Sequence, residues 1–279
     1  MKISISQWAF PSNFQINKCF EIAQKAGFDG LELCLAEEGE ITYSMNSNKI
    51  KEIKKMAGDN GIGLSSLCTG LFWQYSLTSN SAETREKGKT IVCKMLEIAA
   101  ALNVDTILVI PGAVNIPWDP KSEIIPYDIV YKRSLSAIKE LSKVAEKYKV
   151  YIGIENVWNK FLLSPLEMKT FIDEVESKYV GSYFDVGNVL ISGYPEHWIK
   201  ILGKRIKKVH FKDFKLSIGN INGFVKLLEG DINWNGVIRA FKDICYDGWV
   251  IGEMFAQPIC PERLIYETAE NMRGIVNLR

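Results

Sequence analysis

The chain has 279 residues, of which 47% are hydrophobic, and its formal net charge at pH 7 is +1. A chain of this length and composition can bury a large core, and a single α/β barrel commonly reaches this size. The balanced charge provides no basic field for a phosphate backbone, so we expect no nucleic-acid partner.

Short apolar segments rich in β-branched residues alternate along the chain with longer amphipathic segments. Eight of the short segments are predicted strands: residues 3–8, 30–35, 63–68, 106–110, 150–155, 182–186, 207–212 and 249–254. Helical patterns lie between them, most clearly at residues 16–26, 91–102, 135–148 and 237–244. Such regular alternation predicts βαβ units and a parallel sheet.

Eight units favour one closed (β/α)8 TIM barrel, with residues 1–279 forming a single domain, over an open doubly wound sheet. An open sheet commonly has a glycine-rich phosphate-binding turn after its first strand. Here the first strand runs instead into residues 8–12, with the sequence WAFPS. The sequence therefore predicts a barrel without a dinucleotide-binding turn.

Cysteine usage and the first residues bear on the compartment of the protein. The six cysteines contain no C-x-x-C pair, which favours reduced thiols over a disulfide framework. The amino-terminal residues alternate like a strand and then meet Pro11, a pattern that argues against a signal peptide. No apolar run approaches the about 18 residues of a membrane helix. We therefore expect a cytoplasmic protein with no membrane partner.

The strand ends carry the residues of chemical interest, because the active site of such a barrel lies at the carboxyl ends of its strands. The last four predicted strands deliver Glu155, Asp185, His210 and Glu253. Each residue alone could be part of a structural ion pair, a turn or a satisfied core. Four ionisable groups in neighbouring apolar strands are costly without a shared partner, so together they predict a bound cation.

The predicted ligands are three carboxylates and one imidazole. This oxygen-rich set favours Mn²⁺ or Mg²⁺ and tolerates Co²⁺, in contrast to the thiolate ligands of a structural zinc site. We therefore expect one divalent metal ion, with water or substrate oxygens at its remaining coordination positions.

The strand ends resemble those of the xylose-isomerase-like sugar isomerase/epimerase family, especially its sugar-phosphate 3-epimerases, hexulose-6-phosphate isomerases and ketose 3-epimerases. The segments that carry the resemblance are residues 154–156 (IEN), 184–188 (FDVGN), 209–213 (VHFKD), 228–234 (LEGDINW) and 248–253 (GWVIGE). The resemblance implies that the four strand-end residues ligate the metal. It also implies that Glu155 and Glu253 are the catalytic acid and base.

The same resemblance implies an isomerase or 3-epimerase that converts a ketose or ketose phosphate through a metal-bound enediolate, and a homodimer or homotetramer. Free-ketose 3-epimerases carry a histidine at the position of Asn188 and an arginine soon after the strand-seven histidine. This chain has Asn188, Lys212 and Lys215 at or near these positions. Lysine can bind phosphate, so the departure favours a phosphorylated sugar, although both lysines could equally be solvated at the surface.

Further residues near the strand ends are weaker candidates. Asn156 could bind sugar hydroxyls, and Asp213 could orient His210. Four residues could line the pocket or pack at its rim: Trp8, Cys68, Trp73 and Trp158. The long segments 69–88 and 111–127 are candidate lids, or could contain short helices or an oligomer contact.

Three other functions are compatible with parts of this pattern. An inosose dehydratase or isomerase would use the same metal site and expel water from the enediolate. An apurinic endonuclease would hold three zinc ions with several histidines, whereas this chain has only His197 and His210. A non-catalytic sugar-binding barrel would be expected to lack one of the paired glutamates, and both are present.

Overall fold

The computed structural model describes residues 1–278 and confirms the closed parallel barrel. Within these residues the barrel strands are β1 (Lys2–Ser6), β2 (Gly30–Cys34), β3 (Gly63–Cys68), β4 (Thr106–Val109), β5 (Tyr151–Glu155), β6 (Val180–Asp185), β7 (Ile206–Phe211) and β10 (Trp249–Gly252). Their order around the barrel is β1-β10-β7-β6-β5-β4-β3-β2. Two short strands in the loop after β7, β8 (Asp213–Phe214) and β9 (Phe224–Val225), form an antiparallel pair.

One α-helix follows each barrel strand and packs on the outside of the barrel. The helices of residues 1–278 are α1 (Ile16–Ala26), α2 (Ser47–Asp59), α3 (Ala82–Leu102), α4 (Tyr127–Tyr148), α5 (Pro165–Val175), α6 (Pro195–Leu202), α7 (Trp234–Asp243) and α8 (Pro261–Val276). The ring of helices closes where α1 packs against α8. In this described part of the chain, every helix is too short or too polar to cross a lipid bilayer.

Two predicted helices are longer in the structure than the sequence pattern indicated. Residues 91–102 and 135–148 are the carboxyl-terminal parts of α3 and α4. The added residues, 82–90 in α3 and 127–134 in α4, include exposed or half-buried charged side chains that interrupt the apolar pattern. The first turns of α3 therefore occupy part of the candidate lid at residues 69–88.

Local side-chain contacts fix where several helices begin and end. Ser81 Oγ accepts a hydrogen bond from the backbone N–H of Thr84 at the start of α3. Ser164 caps α5 in the same way, and Pro165 occupies the first turn, where its missing N–H has no cost. Gly27 ends α1 with a φ of +85°, a conformation that glycine adopts without strain.

The amino-terminal ends of β2 and β3 leave room for a tryptophan ring. Trp249 packs over Gly30 and Gly63, and a Cβ atom at Gly30 would lie 2.7 Å from the ring. The same Cβ would lie 2.9 Å from the carbonyl oxygen of Gly63. The Trp249 ring can therefore pack there because Gly30 has no side chain.

Replacing Gly30 with alanine is expected to lower the free energy of unfolding by about 1–3 kcal/mol, because the added methyl group overpacks this contact. Urea unfolding followed by circular dichroism measures the change. Gly58→Ala in α2 is the control, since nothing lies within 4 Å of a Cβ there. Alanine favours a helix, so Gly58→Ala is expected to raise stability by up to about 1 kcal/mol. Equal stability of Gly30→Ala and the wild type would contradict this account.

Candidate metal centre

Four side chains from consecutive barrel strands meet at the carboxyl-terminal end of the barrel. Glu155 ends β5, Asp185 ends β6, His210 lies in β7 and Glu253 follows β10 directly. One potential ligand atom from each lies within 4.8 Å of the others. All four residues are buried, with exposed fractions from 0% for His210 to 8% for Glu253. The structure therefore brings together the residues that the sequence singled out as ligands.

Backbone pairing between the strands sets the positions of these side chains. Asp185 and His210 are direct partners in the register of β6 with β7. The N–H of Glu253 donates to the carbonyl oxygen of Phe211 at 3.1 Å, which extends the pairing of β10 with β7. The ligand spacing is thus a property of the strand ladder and does not depend on a flexible loop.

The polar atoms of the cluster converge without enough donors to satisfy them. His210 Nδ1 lies 2.6 Å from Glu253 Oε2, 3.6 Å from Glu155 Oε1 and 3.9 Å from Asp185 Oδ2. Within the described chain, three of these buried atoms have no hydrogen-bond partner: Asp185 Oδ2, His210 Nδ1 and Glu253 Oε2. Lone pairs that face each other in a buried site are costly unless a cation lies between them. The residues therefore fit a metal ion.

The charge of the cluster leads to the same conclusion. Lys212 Nζ lies 3.2 Å from Asp185 Oδ2 and 2.8 Å from Glu253 Oε2, within ion-pair distance although without hydrogen-bond geometry. One lysine cannot balance the three carboxylates of Glu155, Asp185 and Glu253 when His210 is neutral. The cluster then has a net negative charge, which suits a divalent cation.

The two glutamates of the cluster have opposite shifts in proton affinity. Burial raises the pKa of Glu155 above its usual value. Burial also acts to raise the pKa of Glu253, but the positive charge of Lys212, followed by the contact with His210, outweighs it and lowers the pKa. Proximity to Lys212 is therefore what distinguishes the environments of these two carboxyl groups.

A cavity of about 450 Å³ opens onto the cluster. Glu155 and Glu253 line it, whereas Asp185 and His210 are fully buried and contribute nothing to its surface. The strands β6 and β7 separate β5 from β10 in the barrel, so the two glutamates reach the cavity from different sides of the cluster. Much of the remaining wall is aromatic: Trp8, Trp73, Trp118, Trp158, Phe224 and Phe255.

The two candidate lids both contribute tryptophans to this wall. Trp73 belongs to segment 69–88 and Trp118 to segment 111–127. Their rings pack edge to face, with centroids 4.8 Å apart. The two segments therefore contact each other at the cavity, and their role as lids stays a prediction.

The remaining candidates for substrate contact divide into two groups. Asn188 and Lys212 line the cavity, together with the predicted Trp8, Trp73 and Trp158. Lys215 is exposed on the loop after β8 and lies outside the lining, as does Cys68, which is fully buried. Burial, followed by the neighbouring Cys34, raises the pKa of the Cys68 thiol. These positions argue against the predicted contacts of Lys215 and Cys68 with substrate.

Asn156 holds backbone groups of β6 instead of facing the cavity. Its Nδ2 donates to the carbonyl oxygen of Asp185 at 2.8 Å, and its Oδ1 accepts from the N–H of Asp185 at 3.0 Å. Its own carbonyl oxygen accepts from Asn188 Nδ2 at 3.0 Å. Both ends of the Asn156 amide are thus engaged, which argues against the predicted hydrogen bonds to sugar hydroxyls.

Asp213 anchors the loop between β8 and α7, and its hydrogen bonds within residues 1–278 go to that loop and not to His210. Its Oδ1 accepts from the N–H of Phe214 at 2.9 Å and of Ile232 at 3.4 Å. Its Oδ2 accepts from the N–H of Leu228 at 2.9 Å and from the indole N–H of Trp234 at 3.1 Å. The prediction that Asp213 orients His210 is therefore corrected: its carboxylate binds the loop instead.

The carboxylate that faces His210 Nε2 belongs to Glu32 in β2, with Oε2 lying 3.1 Å from that nitrogen. Glu32 was not among the residues predicted from the sequence. The criterion applied to the last four strands, an ionisable group in an apolar strand, also applies to Glu32 between Leu31 and Leu33. Applied to every strand, it would have found this residue.

Residues 20–275 match the family model described as xylose isomerase-like TIM barrel. The chain belongs to this family, which confirms the resemblance seen in the strand-end segments.

Two curated proteins are similar in sequence. The uncharacterized protein MJ1311 of Methanocaldococcus jannaschii is 29% identical over 181 residues, which are 62% of this chain and 59% of that protein. The chain thus matches about three fifths of the length of MJ1311. The putative L-ribulose-5-phosphate 3-epimerase SgbU of Escherichia coli is 22% identical over 251 residues, 85% of this chain and 82% of that protein.

Two solved structures share the fold over almost the whole chain. A D-psicose 3-epimerase determined in the presence of D-fructose has a TM-score of 0.82 and 20% identity, with 99% of both chains covered. The D-psicose 3-epimerase of Clostridium cellulolyticum H10, determined with D-tagatose, has a TM-score of 0.79 and 22% identity, also with 99% of both chains covered. At this identity the likeness establishes the shared fold.

Asp213→Asn is expected to lower the free energy of unfolding by about 1–3 kcal/mol, because an amide NH2 group must then face one pair of loop N–H donors. Thermal and urea unfolding measure the change. Asp231→Asn in the same loop is the control, since its exposed carboxylate accepts one backbone N–H, that of Leu216. A stability loss for Asp213→Asn no larger than that for Asp231→Asn would contradict the anchoring role.

Proposed function

We propose that this chain is a sugar isomerase or 3-epimerase that depends on one divalent metal ion and acts on a ketose or ketose phosphate. The observation that carries the proposal is the pair Glu155 and Glu253, which reach one cavity from either side of converging potential ligands. The names of the relatives support the substrate class, since SgbU is described as a putative epimerase of a ketose phosphate. Cytoplasmic location and a homodimer or homotetramer stay predictions.

Glu155, Asp185, His210 and Glu253 would hold the metal ion. When bound, the ion would polarise the ketose carbonyl and stabilise the negative charge that develops on the substrate oxygens. Three carboxylates and one imidazole favour Mn²⁺ or Mg²⁺ over softer metals, with Co²⁺ as a further candidate.

The two glutamates would transfer the protons. One carboxylate removes a proton from the carbon beside the carbonyl, which gives an enediolate. Return of a proton to the opposite face of the same carbon is epimerisation, and delivery to the neighbouring carbon is isomerisation. Either outcome is served by carboxylates on two sides of a planar intermediate. His210 is poorly placed as a base, because Nε2 faces Glu32 and Nδ1 faces the other ligands.

Lys212 is the candidate partner for a phosphate group, since it is the cationic side chain that the described residues contribute to the cavity lining. Its ammonium group already lies near Asp185 and Glu253. Asn188 lines the same cavity, and its side-chain oxygen is the group that remains for a sugar hydroxyl, because Nδ2 donates to Asn156. A phosphorylated substrate would thus be bound through Lys212, and Lys215 has no place in this scheme.

Incubation with Mn²⁺ in D₂O is expected to place deuterium on the carbon beside the carbonyl of a ketose or ketose phosphate. A panel of free and 5- or 6-phosphorylated ketoses, quenched and read by mass spectrometry and by NMR after metal removal, locates the label and names the reaction. Protein treated with a chelator is the control, and the sugars incubated with it should incorporate no deuterium. Absence of exchange with every member of the panel would contradict the proposed function.

Glu155→Gln and Glu253→Gln are each expected to lower kcat by roughly 100-fold or more, because an amide of the same shape cannot accept the proton. Turnover is measured at saturating Mn²⁺, so that weaker metal binding does not account for the loss. Glu174→Gln is the matched control, since Glu174 is an exposed residue of α5 that accepts from the Tyr131 hydroxyl. Full turnover by either active-site variant would rule out the two-glutamate scheme.

A further inference from the structure

Glu32 is a fully buried carboxylate within the barrel, beside the candidate metal centre. Its Oε1 accepts a hydrogen bond from Ser66 Oγ at 2.7 Å and another from the Tyr183 hydroxyl. Its Oε2 lies 3.1 Å from His210 Nε2. A buried carboxylate is tolerated when its oxygens are satisfied, and these three partners satisfy both oxygens of Glu32.

The direction of the bond between Glu32 and His210 follows from the chemistry of the two groups. An ionised carboxylate can only accept, so the imidazole must donate from Nε2. A neutral imidazole carries one N–H, and its other nitrogen, Nδ1, then has a free lone pair. That lone pair faces Glu155, Asp185 and Glu253, the other potential ligands. The hydrogen bond at Nε2 thus leaves Nδ1 as the nitrogen that can bind a cation.

Tyr183 fixes the ring as well as the carboxylate. Its hydroxyl donates to Glu32, and its aromatic ring packs edge to face against His210 with centroids 4.6 Å apart. Ser66 Oγ and the Tyr183 hydroxyl also lie 2.9 Å from each other. Glu32, Ser66, Tyr183 and His210 come from β2, β3, β6 and β7, so neither the carboxylate nor the imidazole can turn without disturbing its neighbours.

We propose that Glu32 is a positioning residue of the metal centre, which keeps the proton of His210 on Nε2 and directs Nδ1 at the metal. This role presupposes the metal ion of the proposed function. Ser66 and Tyr183 assist by holding Glu32 in place. Within the described residues, the hydrogen bonds of Glu32 go to Ser66, Tyr183 and His210, and Glu32 does not line the cavity, so it acts on the metal centre through His210.

Metal affinity is the first test, measured by calorimetric titration of Mn²⁺ into protein freed of metal by a chelator. Glu32→Leu removes the acceptor and is expected to raise the Kd for Mn²⁺ roughly 10–100-fold. Glu32→Gln is the conservative variant, whose amide oxygen can still accept from Nε2, so its Kd should lie between those of Glu32→Leu and the wild type.

Two adjacent serines provide a matched pair in case Glu32→Leu fails to fold. Ser66→Ala removes one donor to Glu32 and is expected to raise the Kd for Mn²⁺ by several-fold. Ser65→Ala is the control: Ser65 is equally buried, and its hydroxyl bonds Ser4 at 2.8 Å. A buried serine without contact to Glu32 should leave the Kd unchanged.

The hydrogen-bonded proton on His210 Nε2 is a second readout, which a merely structural role of Glu32 would not alter. The chain has only two histidines, and the exposed His197 serves as an internal reference. In ¹⁵N-histidine-labelled protein loaded with diamagnetic Mg²⁺, long-range ¹H–¹⁵N spectra are expected to show the His210 proton on Nε2. Because a metal ion on Nδ1 itself keeps the proton on Nε2, Glu32→Leu is expected to retain this tautomer but to shift the Nε2 proton upfield and to speed its exchange with water, since the acceptor is lost.

The outcomes separate this role from the proposed function. A wild-type protein that binds neither Mn²⁺ nor Mg²⁺ refutes the metal site and the positioning role together. If the wild type binds metal and Glu32→Leu retains both the wild-type Kd and the wild-type Nε2 proton signal, the positioning role alone is overturned. Ser66→Ala takes the place of Glu32→Leu if that variant is unfolded. Weaker binding by Ser66→Ala than by Ser65→Ala supports it.

Discussion

The parallel pairing of β5, β6, β7 and β10 is the constraint on which the rest of the structure depends. Since all four strands run in one direction, their last side chains emerge at one end of the barrel, and the backbone register brings Asp185 beside His210. Three carboxylates and an imidazole are thereby buried in close contact, at a cost that a well-packed barrel has to offset. A bound cation would relieve this cost, so the same four residues bear on both the stability of the fold and the chemistry of the site.

The centre has different surroundings on its two sides. Towards the interior of the barrel, the Glu32 carboxylate holds the imidazole by a hydrogen bond, and the buried hydroxyl groups of Ser66 and Tyr183 hold the carboxylate. Towards the cavity, tryptophan and phenylalanine rings form much of the wall, and Lys212 supplies positive charge. The interior side therefore favours a fixed geometry, and the cavity side favours exclusion of water around a polar substrate.

The barrel and the cluster of potential ligands could be predicted because both follow from local patterns in the sequence. Alternating segments indicate the strands, and a charged residue at the end of an apolar segment marks a site. The roles of Asn156, Asp213 and Glu32 could not be predicted in this way. Glu32 and His210 are 178 positions apart, and the groups that Asp213 binds are defined by the folded course of its loop. Lys212 and Lys215 look alike in sequence, but the short pair β8 and β9 leaves the second exposed to solvent.

The aromatic wall gives the protein an optical property as well as a shape. Four of the seven tryptophans of the chain, Trp8, Trp73, Trp118 and Trp158, lie around the cavity. Indole fluorescence responds to the polarity of the surroundings, and a sugar that displaces water from this wall changes those surroundings for several indoles at once. Tryptophan fluorescence would thus report a sugar bound in this cavity, with no need for an added dye.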